Sequence, residues 1–161
     1  MIREELHSRF YRLFAAPGER QAISIVELNR IETELSVTLP QAYVDFVTKY
    51  GAIYTPSILT LVTGGESEEA PEGASWDVQQ FWNAQEIIKD SKANWSAGMD
   101  SDLVGIASDS MGNVFGFRRK QSELRPDDCP LLFFDHEFCE VHEEKSSFDA
   151  WLESYIRLSA A

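Results

Sequence analysis

The sequence predicts one globular domain that combines helices with β-strands. Its 161 residues are enough for a single domain with a buried core, and 43% hydrophobic with 12% aromatic residues is a globular composition. In the first fifty residues apolar side chains recur at helical spacing, whereas the rest of the chain contains short runs rich in β-formers between turn residues. We find no repeat, linker or boundary, so we expect one domain over residues 1–161.

Three helices are predicted before residue 52. Apolar residues at helical spacing predict the first over residues 2–14, and Pro17-Gly18 ends it. Ser24 begins a Ser-x-x-Glu capping box ahead of a second apolar stripe. Leu39-Pro40 opens the third helix, because Pro suits the first helical position, and Gly51 stands where a left-handed C-cap is common.

The middle of the chain is predicted to change from helix to strand. Residues 57–63 are rich in β-formers and predict a strand. After this strand comes a long polar loop over residues 64–75. Residues 78–82 predict a short strand. Asn83 is then expected to cap a helix over about residues 84–92.

The remaining sequence predicts two pairs of strands and a final helix. The apolar runs 103–107 and 114–117 flank a polar break, in which Gly112-Asn113 tolerates positive φ, so we expect a hairpin there and not a catalytic loop. A strand over residues 130–134 and a return over residues 139–141 follow. Ser146 or Ser147 caps the last helix.

The net charge of −13 is concentrated in the middle of the chain. Residues 61–117 contain 2 basic and 10 acidic side chains, a balance of −8. Such a field repels phosphate backbones and attracts basic proteins, so we expect no direct nucleic-acid binding. The alternative is that this acidity only promotes solubility. No apolar run approaches membrane-spanning length and no secretory signal is visible, so we expect a reduced, cytoplasmic chain.

The residues that could carry chemistry do not form a recognisable site. Phosphate-binding, dinucleotide-binding and metalloprotease motifs are absent, and Ser110 lacks the sequence around a hydrolase nucleophile. Cys129, His136, Cys139 and His142 are residue types that can bind zinc, but their spacing matches no common zinc site. If Cys139 and His142 lie on one strand, their side chains point to opposite faces of the sheet. We therefore expect no metal, no cofactor and no enzyme, and no disulfide framework from two cysteines.

Two further groups of side chains have a structural and a functional interpretation. The basic run Arg118-Arg119-Lys120 ends a strand, so we expect a solvated edge that discourages strand pairing. Phe81 and Trp82 are expected in the core. Trp76 follows the acidic loop and is the better candidate for an exposed aromatic anchor.

The order of several short motifs resembles the SUKH superfamily. The resembling segments are Ile31-Glu32-Thr33-Glu34-Leu35 in a helix, Leu39-Pro40-Gln41-Ala42-Tyr43-Val44-Asp45-Phe46, Tyr50-Gly51, Val104 to Asp109 with Gly112-Asn113, Phe133 to Glu137, and Ser147 to Leu152. The resemblance implies an α+β fold with a mainly antiparallel β-sheet flanked by helices. It transfers no catalytic residue. Asp109 and Gly112 are expected to shape a turn, and the resemblance adds contact with a partner as a second role for this turn.

The resemblance implies two functions that both depend on protein binding. Bacterial members of the superfamily are largely immunity proteins of polymorphic and contact-dependent toxin systems, and a fungal member regulates cell-wall assembly. Our main hypothesis is an immunity protein that neutralises a cognate toxin domain, such as a nuclease; the alternatives are a regulatory scaffold and a metal-dependent enzyme. The predicted contact residues lie in the region that matches no family motif: Glu66, Glu68, Glu69, Glu72, Trp76 and Asp77.

Overall fold

The computed structural model of the chain describes residues 1–18, 20–63 and 76–160. In these ranges the helices are α1 (Arg3–Phe14), α2 (Ile25–Leu35), α3 (Gln41–Lys49), α4 (Ser57–Thr63), α5 (Ala84–Ser96), α6 (Gln121–Leu124) and α7 (Phe148–Ala160). The strands are β1 (Gln80–Phe81), β2 (Leu103–Ser108), β3 (Val114–Arg118), β4 (Leu131–Asp135) and β5 (Glu140–Lys145). The α+β prediction is confirmed. None of the helices in the described ranges has the length and apolar character needed to cross a membrane.

The five strands form one antiparallel sheet in which each strand pairs with the next one along the chain. The predicted hairpin is the pair β2–β3, with Ser108 opposite Val114. Because the strands alternate in direction, the β2–β3 and β4–β5 turns lie at one end of the sheet, as does the segment that enters β1. The connections that contain α5 and α6 lie at the other end.

Local capping signals place the helix starts correctly. The predicted box at Ser24 is complete, since the Ser24 hydroxyl accepts from the Glu27 backbone N–H and the Glu27 carboxylate accepts from the Ser24 N–H. Asn83 forms an equivalent box with Glu86 at the start of α5, which continues beyond the predicted end to Ser96. Gly51 has the expected positive φ of 69°.

The strand predicted over residues 57–63 is wrong, because this segment is helix α4. Ile58 and Val62 are buried four residues apart, which is the spacing of one helical face. The Thr63 hydroxyl donates to the Leu59 carbonyl four residues earlier, at 2.8 Å. A short apolar run fits a buried helix as well as a strand, and packing against α7 decides between them here.

The basic run at the end of β3 does not guard a sheet edge, because β3 is the central strand. Arg118 forms an ion pair with Asp102. Arg119 donates to the Leu35 carbonyl near the end of α2 at 2.8 Å, and its guanidinium lies 4.4 Å from the centre of the Trp95 ring. Arg119 therefore fastens α2 and α5 to the sheet.

Aromatic side chains fill the core between the sheet and the helices. Phe115 of β3 packs against Trp151 of α7, with ring centres 4.9 Å apart. Phe81 and Trp82 are buried, as predicted. Trp82 covers Gly105 of β2, where a Cβ atom would come within 2.5 Å of the indole, so glycine is required for this close approach.

Candidate partner-binding surface

Trp76 is an exposed aromatic side chain held in a defined position. It is 42% exposed, and its ring stacks on Phe133 of β4 with centres 4.9 Å apart and an interplanar angle of 11°. Its backbone carbonyl accepts a hydrogen bond from the buried Tyr155 hydroxyl of α7. The indole is thus fixed before any partner arrives. The four glutamates predicted to act with it, Glu66, Glu68, Glu69 and Glu72, lie outside the described residues.

Asp77, the other predicted contact residue, is buried with 4% of its surface exposed. Its two carboxylate oxygens accept from the backbone N–H and the hydroxyl of Ser110, each at 3.2 Å. Burial raises the pKa of Asp77, although the hydrogen bond from the Ser110 hydroxyl opposes this shift. Asp77 therefore fastens the segment that carries Trp76 to the β2–β3 turn.

The β2–β3 turn is organised by a second buried carboxylate. One Asp109 oxygen accepts from the backbone N–H groups of Met111 and Asn113 at 2.9 and 2.8 Å, and the other accepts from the Asn113 side chain at 2.8 Å. Gly112 in this turn has a φ of 87°. The geometry agrees with a structural role for Asp109 and Gly112.

The β4–β5 turn lies directly beside the β2–β3 turn. The His136 backbone N–H donates to the Asn113 side-chain oxygen at 3.1 Å, and Nδ1 of His136 lies 2.7 Å from the same oxygen. Asp135 then accepts from the backbone N–H of Glu137 at 3.0 Å. We call the resulting surface the turn end; it comprises Trp76, Asp77, residues 109–113 and residues 135–139.

The segments of the turn end contain four carboxylates and no lysine or arginine. The carboxylates are Asp77, Asp109, Asp135 and Glu137. The basic side chains of the sheet and of the connection after β3 lie at the opposite end, among an equal number of carboxylates; they are Arg118, Arg119, Lys120, Arg125 and Lys145. The described segments of the turn end therefore carry a net negative charge, which favours a positively charged partner.

The four residues considered for zinc binding are not assembled into a site. Cys129 is buried beside β4, and burial, reinforced by Asp128, raises the pKa of its thiol to about 12. Cys139 is exposed in the β4–β5 turn and not on a strand, so the expected alternation with His142 does not apply. Both thiols are free. In the described part of the chain, no three His, Cys, Asp or Glu side chains are close enough to hold a metal ion.

Sequence reasoning missed an ionic cluster at the start of α7. Arg3 of α1 donates to Asp149 at 2.8 Å and to both oxygens of Asp127 at 2.9 and 2.8 Å. The buried His7 ring contacts the second Asp149 oxygen at 2.7 Å. Burial alone would raise the pKa of Asp149, but the hydrogen bonds from His7 and Arg3 outweigh it and lower the pKa.

The cluster borders a cleft of about 450 Å³ between α1 and α3. Both oxygens of Asp149 are occupied, one by Arg3 and the other by His7. The ionic cluster therefore fastens α1 to α7. Arg3 and Asp149 are 146 residues apart in the sequence, so no local sequence pattern could have predicted this contact.

Comparison with known proteins identifies the family of the chain. No curated protein matches the sequence. The model of the SMI1/KNR4 family (SUKH-1) matches residues 22–154, which include every strand of the sheet and begin after α1. The chain belongs to the SMI1/KNR4 family (SUKH-1), as its motifs had indicated.

Proposed function

We propose that this protein is an immunity protein that binds and neutralises a cognate bacterial toxin domain in the cytoplasm. It acts by binding and not by catalysis. The toxin class that fits best is a nuclease, because a nuclease presents a basic substrate cleft that an acidic surface can block. Membership of the SMI1/KNR4 family (SUKH-1) supports the general assignment.

The observation that carries the proposal is the rigid Trp76 at an end of the sheet whose segments lack lysine and arginine. An exposed tryptophan costs little conformational entropy when its ring is already stacked, and tryptophan is enriched among the residues that dominate interface energies. Carboxylates around it accelerate the encounter with a basic partner.

The contact residues of the proposal are divided into an anchor and a rim. Trp76 is the anchor. The four glutamates of the acidic stretch, Glu66, Glu68, Glu69 and Glu72, supply the charged rim. Asp77 contributes by holding the β2–β3 turn beside Trp76, because its carboxylate is buried against Ser110.

We expect the gene next to that of this protein to encode a toxin domain, and the test is whether this protein neutralises and binds that domain. Co-expression should restore growth of cells that produce the toxin domain. Binding measured by calorimetry should weaken as salt rises from 50 to 300 mM, because exposed charges are screened over about 10 Å at 0.1 M salt. Trp76→Ala should weaken binding about 30-fold or more, as expected for a hot-spot aromatic residue.

Reversal of the four glutamates to lysine should slow association and flatten the salt dependence. The matched control is Lys120→Glu, which changes a charge at the opposite end of the sheet and should leave binding unchanged. Unchanged affinity and salt dependence in the glutamate variant would refute the acidic rim. If the toxin kills despite co-expression and the protein binds cell-envelope components instead, the regulatory scaffold becomes the better assignment.

A further inference from the structure

Two large apolar side chains stand exposed at the tips of the adjacent turns of the sheet. Met111 of the β2–β3 turn is 68% exposed, and Phe138 of the β4–β5 turn is 67% exposed. The hydrogen bond between His136 and Asn113 holds these two turns side by side. Trp76 is joined to the same end of the sheet through the Asp77–Ser110 hydrogen bonds, so this end exposes three large apolar side chains.

Each tip is held in shape by an aspartate that accepts the backbone N–H of the exposed residue itself. Asp109 accepts from Met111 at 2.9 Å, and Asp135 accepts from Phe138 at 3.3 Å. The backbone that presents both side chains is thus ordered in the free protein. Binding through them loses little backbone entropy, which is the advantage of a preorganised interface.

The charges around the Met111 and Phe138 turns determine which kind of partner can bind there. Glu137 and Glu140 are exposed next to Phe138, and no lysine or arginine occurs between Lys92 and Arg118 or between Arg125 and Lys145. A nucleic acid would be repelled by this surface. A second copy of the chain on a twofold axis would bring identical acidic surfaces together, which like-charge repulsion disfavours.

We propose that Met111 and Phe138 join Trp76 as the apolar centre of the docking surface, and that the toxin domain meets them with an apolar patch ringed by lysine and arginine. This inference rests on the proposed function and names the contact chemistry of the partner. The apolar centre sets the lifetime of the complex, and the carboxylate ring sets the rate of encounter.

Surface plasmon resonance with the toxin domain encoded next to the gene separates these two contributions. Phe138→Asp and Met111→Asp should each raise the dissociation rate about 30-fold or more, in the hot-spot range. The double variant Glu137→Lys/Glu140→Lys should slow association at low salt and reduce its salt dependence.

The controls use the same substitutions on α6, at the other end of the sheet. Leu124 is 88% exposed and Glu123 precedes it, so Leu124→Asp and Glu123→Lys test whether any exposed residue gives the same effect. Both should leave the rates unchanged. Urea unfolding of each variant, with an unchanged midpoint expected at these exposed positions, verifies that the fold is intact.

The outcomes distinguish this inference from the proposed function. If the wild-type protein binds the toxin domain and the tip variants behave like the α6 controls, the tips are not the docking surface, while the immunity function stands. If the wild-type protein does not bind the toxin domain at all, both are overturned. A dimer in analytical ultracentrifugation that Phe138→Asp dissociates would overturn the inference in favour of a second copy as the occupant.

Discussion

Asp149→Asn removes the carboxylate that joins α1 to α7 without changing the volume of the side chain. Asp149 contacts both Arg3 and His7, and its side chain is only 21% exposed. An asparagine retains one acceptor oxygen but places an N–H toward its other partner, so Arg3 and the buried His7 can no longer both donate to this side chain. The helix also loses a negative charge in its first turn.

The expected cost is about 2–4 kcal/mol in the free energy of unfolding. A hydrogen bond to a charged group contributes about 1.5–3 kcal/mol, and a carboxylate near a helix N-terminus adds about 0.3–1 kcal/mol. Breaking a fully buried ion pair costs about 3–5 kcal/mol. Partial exposure of Asp149 and Arg3 reduces the value below that limit.

Asp127→Asn is the matched control, because Asp127 binds the same guanidinium through both oxygens. Its side chain is 77% exposed, so water screens the pair and we expect a loss of at most about 1 kcal/mol. Urea unfolding at pH 7, followed by far-ultraviolet circular dichroism, measures both variants. A smaller loss for Asp149→Asn than for Asp127→Asn would refute the argument from burial.

The pH dependence provides a second check on the same variant. The pKa of Asp149 is lowered in the folded state. Its stabilisation is therefore present above the unfolded pKa of about 3.9 and is lost as the pH falls through the folded value. The stability difference between wild type and Asp149→Asn should shrink below about pH 4; a constant difference from pH 7 to pH 3 would show that the charge is not responsible.

Three further predictions test the core, a turn and the thiols. Tyr43→Phe should leave the free energy of unfolding unchanged or raise it by up to about 1 kcal/mol, since the buried Tyr43 hydroxyl has no hydrogen-bond partner among the described residues; a loss above about 1 kcal/mol in urea unfolding would contradict this. Gly51→Ala should cost at least about 2 kcal/mol by the same measurement, because φ is 69° and an added Cβ would collide with the Gln21 carbonyl, so a neutral variant would rule out this packing. With a thiol reagent, Cys139 should react at once and Cys129 only on unfolding, and two fast thiols would show that Cys129 is accessible.

The parts of the fold that the sequence predicted correctly depend on local signals. The capping boxes at Ser24 and Asn83 involve residues three positions apart, and the β2–β3 hairpin depends on a turn of five residues. Such interactions form within a few residues and change little with tertiary context. They therefore identify helix starts and hairpins without knowledge of the rest of the molecule.

The incorrect predictions concern elements whose structure depends on distant contacts. The α4 segment is apolar and rich in residues that favour strands. Burial of Ile58 and Val62 against the rest of the core is what favours the helix. The basic run after Phe117 was assigned to a sheet edge because the sequence does not reveal strand order. The structure makes β3 central, and Arg119 instead binds a carbonyl of α2.

For the described part of the candidate site, the sequence indicated the exposure of one aromatic residue, and the predicted glutamates stay a prediction. The exposure of Trp76 followed from its position after a polar, acidic stretch, and the structure confirms it. The burial of Asp77 depends on Ser110, which lies 33 residues away. Met111 lies in the predicted hairpin turn, which favours exposure, whereas no pattern in the sequence indicates that the apolar Phe138 is exposed.

The strand order of the sheet separates the scaffold of the molecule from the surface that we propose for binding. Each strand pairs with the next, so alternate connections lie at opposite ends. One end contains α5, α6, the start of α7 and the ionic cluster of Arg3, where cations are paired with carboxylates. The other end contains two short turns and the segment before β1. We expect substitutions at the exposed positions of those turns to leave the strand pairing and the helix packing intact, so the proposed binding surface can change without loss of the fold.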